Sequence, residues 1–356
     1  MAATVRIGII GSGGIAGAHA RSYKQLPEVE VVAVADVVPG KAAEFIERQG
    51  LAQARAFEDH HRLLELDLDG VSVCTPNVAH HRTAVDALAA GKHVLTEKPM
   101  AVTLEQAVEM ARAARAAAKI LTVGFQPRYD PNMLLIRDIV RSGALGKVYY
   151  VETGGGRRQG IPGGTFIRKD LAGAGAMADI GCYSLDMALN ALGYPKPLTV
   201  SAYTGDLLGK SPQIFREADR FEVEDFGVAL VRLEGGTVLN FKISWAMHMD
   251  TLGATMFLGT DAGLKVVPRG GVWDGGVQSI TLFQDMAGAQ TETSIPVVRH
   301  DVNIFLEKVR AFVIAIRDGL PAPIPGDLIV RNQAIIDGVL RSSAEGREVV
   351  IELPAI

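Results

Sequence analysis

An α/β fold is predicted, with a doubly wound parallel sheet at the N-terminus and a C-terminal α+β domain that has a largely antiparallel open sheet. Strand-like and helix-like segments alternate as far as about residue 125, which is typical of a parallel sheet covered on both faces. From residue 198 to residue 283 the pattern is mostly strands. The length of 356 residues suits two domains, which we place at residues 1–125 and 126–356.

The N-terminal segment has the order strand, glycine-rich turn, helix, strand. Val5–Ile10 and Glu30–Ala35 are apolar runs rich in β-branched residues, as in strands buried on both faces, and Gly17–Leu26 is helix-like. The turn after the first strand has the residue types and spacing of a dinucleotide-binding motif: Gly11, Gly13, Gly14, Ile15 and Ala16.

Each part of this motif has a physical role in holding a dinucleotide. Gly11 permits the tight turn, Gly13 lets backbone amides approach a pyrophosphate, and Ala16 lets the helix pack closely on the strand. The helix N-terminus offers unpaired N–H groups to the phosphates. Asp36 follows the second strand; its carboxylate can accept from ribose hydroxyls and would repel a 2′-phosphate, to which Val37-Val38 offer no cation. The cofactor is therefore predicted to be NAD in preference to NADP.

Apolar periodicity and capping signals predict the other elements of the first domain. Helices are predicted from behind Pro39 to Gln49, over Phe57–Leu66, over Ala79–Ala90, and from a capping box at Thr103-Leu104-Glu105-Gln106 to Ala118. Strands are predicted at Gly70–Thr75, His93–Thr96 and Leu121–Phe125.

The second domain is predicted to begin with a helix and to continue mainly with strands. Its first elements are helix Asn132–Arg141, strand Lys147–Thr153, the glycine-rich loop Gly154–Gly164 and a helix from Asp179 to Leu192. Phe226–Leu233 and Thr237–Trp245 are typical of a hairpin. The last elements are helix Asp301–Arg317, helix Leu328–Ser342 capped by Asp327, and strand Val349–Leu353. The first of these helices has an apolar face made of Val302, Phe305, Leu306, Val309, Phe312, Val313 and Ile316.

Composition and charge exclude several classes of partner. With 36 basic and 40 acidic residues the net charge is −4, and no dense basic cluster occurs, so neither nucleic acid nor a membrane surface is expected. We predict no signal peptide and no apolar span of the roughly 18 residues that a bilayer requires. Cys74 and Cys182 are predicted to be buried, reduced thiols of a cytoplasmic protein. Neighbouring histidines, as in His60-His61 and His80-His81, do not make a ligand set, so no metal is predicted.

Three further motifs combine with the glycine-rich turn. Thr75-Pro76-Asn77 with His80 ends one strand, Glu97-Lys98-Pro99 ends the next, and Asp179-Ile180-Gly181-Cys182-Tyr183 opens a helix of the second domain. Together they resemble the glucose–fructose oxidoreductase/inositol dehydrogenase (Gfo/Idh/MocA) family of NAD(P)-dependent enzymes. The resemblance extends over nearly the whole chain and implies a Rossmann domain followed by a domain for substrate binding and oligomerisation. It says little about the substrate.

The resemblance implies roles around the cofactor. In the family, the position of Lys98 lies between nicotinamide and substrate, and those of Asn77 and Glu97 help to hold the nicotinamide half. Asn77, Lys98 and Asp36 each follow a strand end, where ligands of open α/β sheets bind. An ammonium there can hydrogen-bond the reacting oxygen and shuttle its proton. The other cofactor contacts implied by the resemblance are Thr75, Pro76, His80 and Arg128.

Asp179 and Tyr183 are the remaining candidates for catalysis and substrate binding. They are four residues apart and would share one helix face. The inositol-dehydrogenase branch has Asp-x-x-x-His here, with histidine as acid/base, whereas Tyr183 looks like the glucose–fructose oxidoreductase branch. A phenol with a pKa of about 10 is a better proton donor or relay than a base, so the identity of the base stays open. In the alternative interpretation, Asp179 only caps a helix and Tyr183 is a half-buried ring.

Several other side chains have both a functional and a structural interpretation. Arg157 and Arg158 follow three glycines and suit sugar hydroxyls or a carboxylate, although exposed arginines of a loop explain them equally well. Arg128 contacts the cofactor or has a structural role at the domain boundary. Trp245 and His248 can line the floor of a sugar pocket, but core packing and a surface histidine are favoured.

The leading functional hypothesis is NAD-dependent oxidation of a secondary hydroxyl of a sugar, sugar derivative or cyclitol, with Lys98, Tyr183 and Asp179 handling the proton. A second hypothesis is a glycosidase that oxidises its sugar transiently with bound NAD. A third is a sugar sensor that binds NAD without turnover. The resemblance also implies a homodimer or homotetramer formed through the second domain.

Overall fold

The computed structural model describes residues 4–269 and 276–356, and within them the chain forms two compact units. Unit 1 contains the residues up to Gln126 together with Val302–Val330 and Ile356, and unit 2 contains Pro127–Asp301 and Arg331–Ala355. The sequence-based division assigned all residues after 125 to the second domain. The structure instead groups the segment Val302–Val330 with the N-terminal residues.

Unit 1 is built on a parallel sheet whose strands have the order β3-β2-β1-β4-β5-β6 within the described residues. Every neighbouring pair of these strands is parallel, which confirms the doubly wound prediction. The strands are β1 Val5–Ile10, β2 Val29–Ala35, β3 Arg55–Phe57, β4 Gly70–Val73, β5 His93–Thr96 and β6 Leu121–Val123. The helices are α1 Gly14–Tyr23, α2 Lys41–Gln49, α3 His60–Leu64, α4 Asn77–Ala89 and α5 Leu104–Ala116.

Unit 2 is built on a mixed sheet with the strand order β14-β13-β12-β11-β7-β10-β9-β8-β15 in the described part of the chain. Only the β7–β10 pair among these is parallel, so the prediction of a largely antiparallel sheet is confirmed. The helices are α6 Pro131–Arg141, α7 Lys169–Ala172, α8 Ala176–Asp179 and α9 Gly181–Leu192. The strands are β7 Val148–Gly156, β8 Pro197–Gly205, β9 Phe226–Leu233, β10 Val238–Ser244, β11 Thr255–Gly259, β12 Ala262–Pro268, β13 Val277–Met286, β14 Ala289–Ile295 and β15 Val349–Val350.

Helix α10, Ile304–Asp318, completes the core of unit 1. Val309, Phe312 and Val313 are fully buried in the same cluster as residues of β1, α1 and α2. Val302 was predicted on this apolar face, but the helix begins at Ile304 and Val302 is 38% exposed. The following helix, α11 Gly326–Glu345, includes Asp327 in its first turn, so Asp327 is not the predicted cap.

Two local predictions were wrong because long-range strand pairing overrides local pattern. The helix predicted over Phe57–Leu66 is shorter, since Arg55–Phe57 pairs with β2 as an edge strand. The loop predicted from Gly154 begins later, since β7 continues to Gly156 beside β10. Gly154 has φ +141°, and a Cβ there would lie 1.7 Å from the carbonyl oxygen of Lys242. Only glycine permits that approach.

Other local predictions are confirmed. The β9–β10 hairpin forms through residues 234–236, with Gly235 at φ 83°. Thr103 caps α5 by accepting from the backbone N–H of Gln106. Both cysteines are buried free thiols. Among the described helices, none combines the length and apolar character needed to cross a membrane.

Candidate active site

The glycine-rich turn lies between the carboxyl end of β1 and the N-terminus of α1. Gly11 has φ +92°, and a Cβ there would lie 2.5 Å from the carbonyl oxygen of Cys74, so the residue must be glycine. At Gly13 and Gly14 a Cβ would meet nothing within 4 Å, which shows open space in front of the helix. The first N–H groups of α1, from Gly14 to Ala16, have no intrahelical partner because of their position. This arrangement fits a pyrophosphate.

Asp36 is held in place at the carboxyl end of β2. Its Oδ2 accepts from the backbone N–H of Ser12 at 3.0 Å and from the Ser12 hydroxyl at 2.5 Å, and its Oδ1 accepts from the N–H of Val38 at 3.0 Å. Burial raises the pKa of the Asp36 carboxyl, but these hydrogen bonds and the charge of Lys41 outweigh it, so the pKa lies below its usual range. The carboxylate is therefore ionised, and its hydrogen bonds to Ser12 of the glycine-rich turn fix its orientation.

Lys41 supplies a cation near Asp36, beyond the Val37-Val38 pair considered in the sequence. Its Nζ is 3.7 Å from Asp36 Oδ2, and its side chain is about half exposed. The sequence-based argument considered only the two residues after Asp36, whereas Lys41 reaches back from the first turn of α2. An ammonium at this position attracts a 2′-phosphate, which weakens the electrostatic argument for NAD over NADP.

The segment after β4 supplies polar groups near the same edge of the sheet. The Oγ1 atom of Thr75 is buried and has no hydrogen-bond partner within the residues that the structure describes. Pro76 is the residue before α4, and half-buried Asn77 is the first residue of that helix. A buried hydroxyl without a partner is costly unless a ligand satisfies it, so Thr75 also fits a bound dinucleotide.

His80 is buried between two loops, and both of its ring nitrogens face backbone carbonyls. The ring is 1% exposed, with Nδ1 2.7 Å from the carbonyl oxygen of Pro99 and Nε2 3.0 Å from that of Thr75. Burial lowers its pKa, so the ring is neutral and can donate to only one of these two carbonyls. The shorter contact assigns the N–H to Nδ1, which donates to the Pro99 carbonyl. The predicted cofactor contact of His80 stays a prediction, and these contacts place both of its ring nitrogens against backbone carbonyls.

Glu97 and Lys98 follow β5, and they have different environments. Glu97 is 4% exposed, and its Oε1 accepts from His19 and from Lys308. The carboxylate is thus engaged inside unit 1, and its effect on the nicotinamide half would be indirect. Lys98 is half-buried at the end of the strand, and the Lys98–Pro99 peptide is cis.

Acidification is expected to destabilise the fold through His19 and His80. Burial lowers the pKa of both rings, so below about pH 6.5 the unfolded chain binds protons that the folded state does not. The free energy of unfolding should then fall by up to about 1.4 kcal/mol per pH unit for each ring. The slope of the free energy of unfolding against pH, measured by urea unfolding between pH 7.5 and 5.5, should be smaller in the H80Q variant than in wild type. Equal slopes for wild type and H80Q would contradict this assignment.

Asp179 and Tyr183 are both buried in unit 2, but they do not lie on one continuous helix. Helix α8 ends at Asp179 and α9 begins at Gly181, with Ile180 between them. Oδ2 of Asp179 accepts from Nε1 of Trp245 at 3.0 Å. Ile180 is the N-cap residue of α9, so Asp179 is not the helix cap of the alternative interpretation. Tyr183, at 9% exposure, is more buried than that interpretation assumed.

Glu224, which the sequence patterns missed, and Trp245 position Asp179. The buried carboxylate of Glu224 accepts from the N–H groups of Gly175 and Met177 at 2.8 and 3.0 Å, and so caps the turn that carries Asp179. Burial raises the pKa of Glu224. Trp245 is fully buried, as predicted from core packing, and its indole N–H is directed at Asp179. The only sequence signal was a tryptophan at the end of a strand.

Removing the indole N–H is expected to impair turnover without unfolding unit 2. The W245F variant keeps an aromatic ring but leaves Asp179 without this donor, which should lower kcat about 10-fold because hydrogen bonds to charged groups contribute about 1.5–3 kcal/mol. Steady-state kinetics and a thermal melt would measure both effects. Wild-type kcat in W245F would show that the bond has no part in turnover.

The arginines fall into two groups. The loop of Arg157 and Arg158 runs beside the segment that follows β10: the Arg157 N–H donates to the Ser244 carbonyl at 3.1 Å, and the Arg158 carbonyl accepts from the Met247 N–H at 3.3 Å. Arg157 is half-buried, while Arg158 is exposed, and His248 is an exposed histidine as favoured from the sequence. These positions are compatible with substrate binding by the arginine pair and with ordinary loop arginines.

Arg128 is engaged within unit 2. Its Nε and Nη2 donate to the two carboxylate oxygens of Asp186 at 2.8 and 2.6 Å, and Nη2 also donates to the Tyr194 hydroxyl at 3.0 Å. Burial lowers the pKa of Arg128, but Asp186 more than compensates and raises it. The guanidinium N–H groups therefore donate to Asp186 and Tyr194. This favours a structural role for Arg128 over a contact with the cofactor.

One group of side chains in the described residues has ligand atoms close enough for a metal ion: Asp59, His60 and His61. Nε2 of His60 already lies 3.1 Å from Asp86 Oδ2, and the Asp59 carboxylate caps α3. The absence of a metal stays a prediction.

Comparison with known proteins shows the family of the chain. Residues 5–125 match the model of an oxidoreductase family with an NAD-binding Rossmann fold, and residues 133–265 match the GFO/IDH/MocA C-terminal domain. D-glucoside 3-dehydrogenase of Escherichia coli K12 is 35% identical over 289 residues, which are 79% of this chain and 82% of that protein. Glucose-6-phosphate 3-dehydrogenase of Bacillus subtilis 168 is 31% identical over 186 residues, 51% of this chain and 52% of that protein.

Solved structures extend the likeness to the full fold. The aldose–aldose oxidoreductase of Caulobacter crescentus, complexed with glycerol, has a TM-score of 0.79 and 25% identity over 98% of this chain and 99% of its own. A levoglucosan dehydrogenase in complex with NADH and levoglucosan has a TM-score of 0.83 over 98% and 99% of the two chains, and at 21% identity it shows the fold alone. On its motifs, its fold and its relatives, the chain belongs to the Gfo/Idh/MocA family of oxidoreductases.

Proposed function

We propose that the protein is an NAD-dependent dehydrogenase that oxidises a secondary hydroxyl of a sugar, sugar derivative or cyclitol. The observation that carries this proposal is the placement of Lys98 at the end of β5, on the same edge of the parallel sheet as the glycine-rich turn and Asp36. An amine beside a dinucleotide site suits a reaction in which a hydroxyl loses its proton as its carbon loses hydride.

Each group of side chains has a separate role in this proposal. The turn Gly11–Ala16 and the Thr75–Asn77 segment hold the cofactor, which when bound supplies the hydride acceptor. Lys98 donates a hydrogen bond to the substrate oxygen and takes part in moving its proton. Tyr183 serves as proton donor or relay, and Asp179, held by Trp245, orients the substrate hydroxyl. Arg157 and Arg158 contribute hydrogen bonds to the outer hydroxyls of the sugar.

Glucosides are the first substrates to test, with oxidation at C3. The relatives from E. coli and B. subtilis are both named 3-dehydrogenases, one acting on a D-glucoside and the other on glucose 6-phosphate. The exposed loop that carries Arg158 could bind a charged or bulky substituent of the sugar. The side chains of that loop would then determine whether the enzyme prefers a substrate with an aglycone or one with a phosphate.

The deciding experiment measures nicotinamide absorbance while the protein is incubated with NAD, and then NADP, across glucosides, aldoses, anhydrosugars, sugar acids and inositols. Formation of NADH with one stereochemical class supports the dehydrogenase. Cleavage of a glycoside without net NADH supports the transient-oxidation glycosidase. Tight NAD binding with neither signal would overturn the dehydrogenase and favour a sensor.

We also propose a homodimer or homotetramer formed through the open face of the mixed sheet. Strand registers place Tyr203, Leu230 and Phe283 on one face, and these large apolar side chains are 55%, 42% and 36% exposed. Faces of this kind are normally covered by a partner. Light scattering should give a mass above one chain for wild type and the L207D control, which changes an exposed leucine in the loop after β8, and a lower mass for L230D. A monomeric wild type would remove this proposal.

A further inference from the structure

A lysine is buried in the core of unit 1, far along the chain from the cofactor motifs. Lys308 of α10 is 2% exposed, although Lys is among the residues least often found fully buried. Its Nζ lies 5.4 Å from the centre of the Phe305 ring and donates to Oε1 of Glu97. A buried ammonium is stable only when its charge is paired, so the Lys308–Glu97 contact is essential to both side chains.

The same carboxylate oxygen connects to a chain of buried hydrogen bonds. His19 Nε2 lies 2.8 Å from Glu97 Oε1, His19 Nδ1 lies 2.9 Å from Ser72 Oγ, and Ser72 Oγ lies 2.7 Å from the Tyr23 hydroxyl. Burial and the neighbouring charge of Lys308 lower the pKa of His19, so its ring is neutral. The neutral ring donates from Nε2 to Glu97 and accepts at Nδ1 from Ser72, which in turn accepts from Tyr23. The neutral ring thus assigns one donor and one acceptor to each hydrogen bond from Tyr23 to Glu97.

Glu97 is confined on its other sides as well. Its backbone N–H donates to the carbonyl of Val73 at 3.0 Å, which ties it to β4. A Cβ on Gly124 would lie 2.7 Å from Glu97 Oε1, so glycine at position 124 leaves room for the carboxylate. Lys308 and His19 lower the pKa of Glu97 despite its burial, and the carboxylate stays ionised.

Lys98 is the next residue, and its neighbours in the chain are both anchored. Glu97 is held by Lys308 and His19, while the carbonyl of Pro99 is held by His80 at 2.7 Å. The half-buried Lys98 therefore extends from a backbone segment fixed on each side. We infer that Lys308 is a positioning residue, which acts through the charged carboxylate of Glu97 to hold Lys98 in its reactive orientation. This inference rests on the proposed function of Lys98 in proton handling.

The test removes the charge of Lys308 alone and then both charges together. K308M leaves the Glu97 carboxylate buried with its cation lost, and it should lower the melting temperature by about 10 °C. In the double variant K308M/E97Q neither group is charged, so most of this loss should be recovered. If the network positions Lys98, kcat of the double variant stays about 10- to 100-fold below wild type, because small displacements of a reacting group are costly. The KM for sugar and the dissociation constant for NADH should remain within about twofold.

A second readout needs no turnover. Competitive labelling of the apo-protein with an amine reagent, followed by mass spectrometry, gives the reactivity of Lys98 relative to Lys41. In K308M/E97Q this ratio should rise about threefold or more, because a lysine that is no longer held samples solvent more often. R310M, which changes a surface ion pair on the same helix, is the matched control and should leave the ratio and kcat unchanged.

Two results would overturn the inference. One is recovery of wild-type kcat in the double variant, which would show that Lys308 only stabilises the fold. The other is an unchanged labelling ratio in folded K308M/E97Q, or in K308M should the double variant fail to fold. Failure of the proposed function has a different signature: wild type would oxidise no sugar, or K98A would retain activity, whatever the labelling shows.

Discussion

Replacing Lys98 with alanine is expected to lower kcat by about 1,000-fold or more while the dissociation constant for NAD changes only a few-fold. Positioned acid–base groups contribute about 10²–10⁴ in rate, and an alanine can neither hydrogen-bond the reacting oxygen nor move its proton. The position of Lys98 after β5, beside two anchored residues, makes it the group whose loss should affect chemistry most. Stopped-flow absorbance for turnover and NADH fluorescence for binding separate the two quantities.

The matched control is K119A, a half-buried lysine that ends the turn after α5. It should retain wild-type kcat. If K98A instead lost NAD affinity as much as turnover, Lys98 would be a cofactor-holding residue, and the proton would have to be handled from unit 2 by Tyr183 or Asp179.

Replacing Asp36 with serine is expected to shift the cofactor preference towards NADP. In the role proposed for it, the Asp36 carboxylate accepts from ribose hydroxyls and repels a 2′-phosphate. Without it, the Lys41 ammonium loses its 3.7 Å partner and becomes available to that phosphate. Hydrogen bonds to charged groups contribute about 1.5–3 kcal/mol, so the ratio of the NADP to the NAD dissociation constant should fall by about 100-fold. Fluorescence titration with NADH and NADPH measures the ratio directly.

Lys41 provides the control within the same site. In D36S/K41M the gain in NADP affinity should disappear, whereas K41M alone should bind NAD nearly as wild type does. Tighter binding of NADP than NAD by the wild-type protein would contradict the role assigned to Asp36, and would mean that Lys41 and Ser12 already accommodate the phosphate.

Local patterns in the sequence were sufficient to predict the parallel sheet, the glycine-rich turn and the hairpin of unit 2. The motifs were sufficient to identify the family. Strand bounds at Val5–Ile10 and His93–Thr96 match the structure because short apolar runs between turn signals depend little on distant residues. The turn at Gly11 was equally readable, since a positive φ leaves few residue types besides glycine.

The tertiary structure alone decided which polar groups meet. Asp179 and Trp245 are 66 residues apart, and Glu97 and Lys308 are 211 apart, yet each pair forms a buried hydrogen bond. Hydrophobic periodicity reports that a helix face is buried, and Lys308 falls on such a face between Phe305 and Phe312, but it does not report the partner of a buried charge. The return of α10 to unit 1 and the pairing of β3 with β2 depend likewise on contacts between distant segments. Burial makes those contacts obligatory because an unpaired polar group in the core is too costly, and only the folded chain specifies the partner.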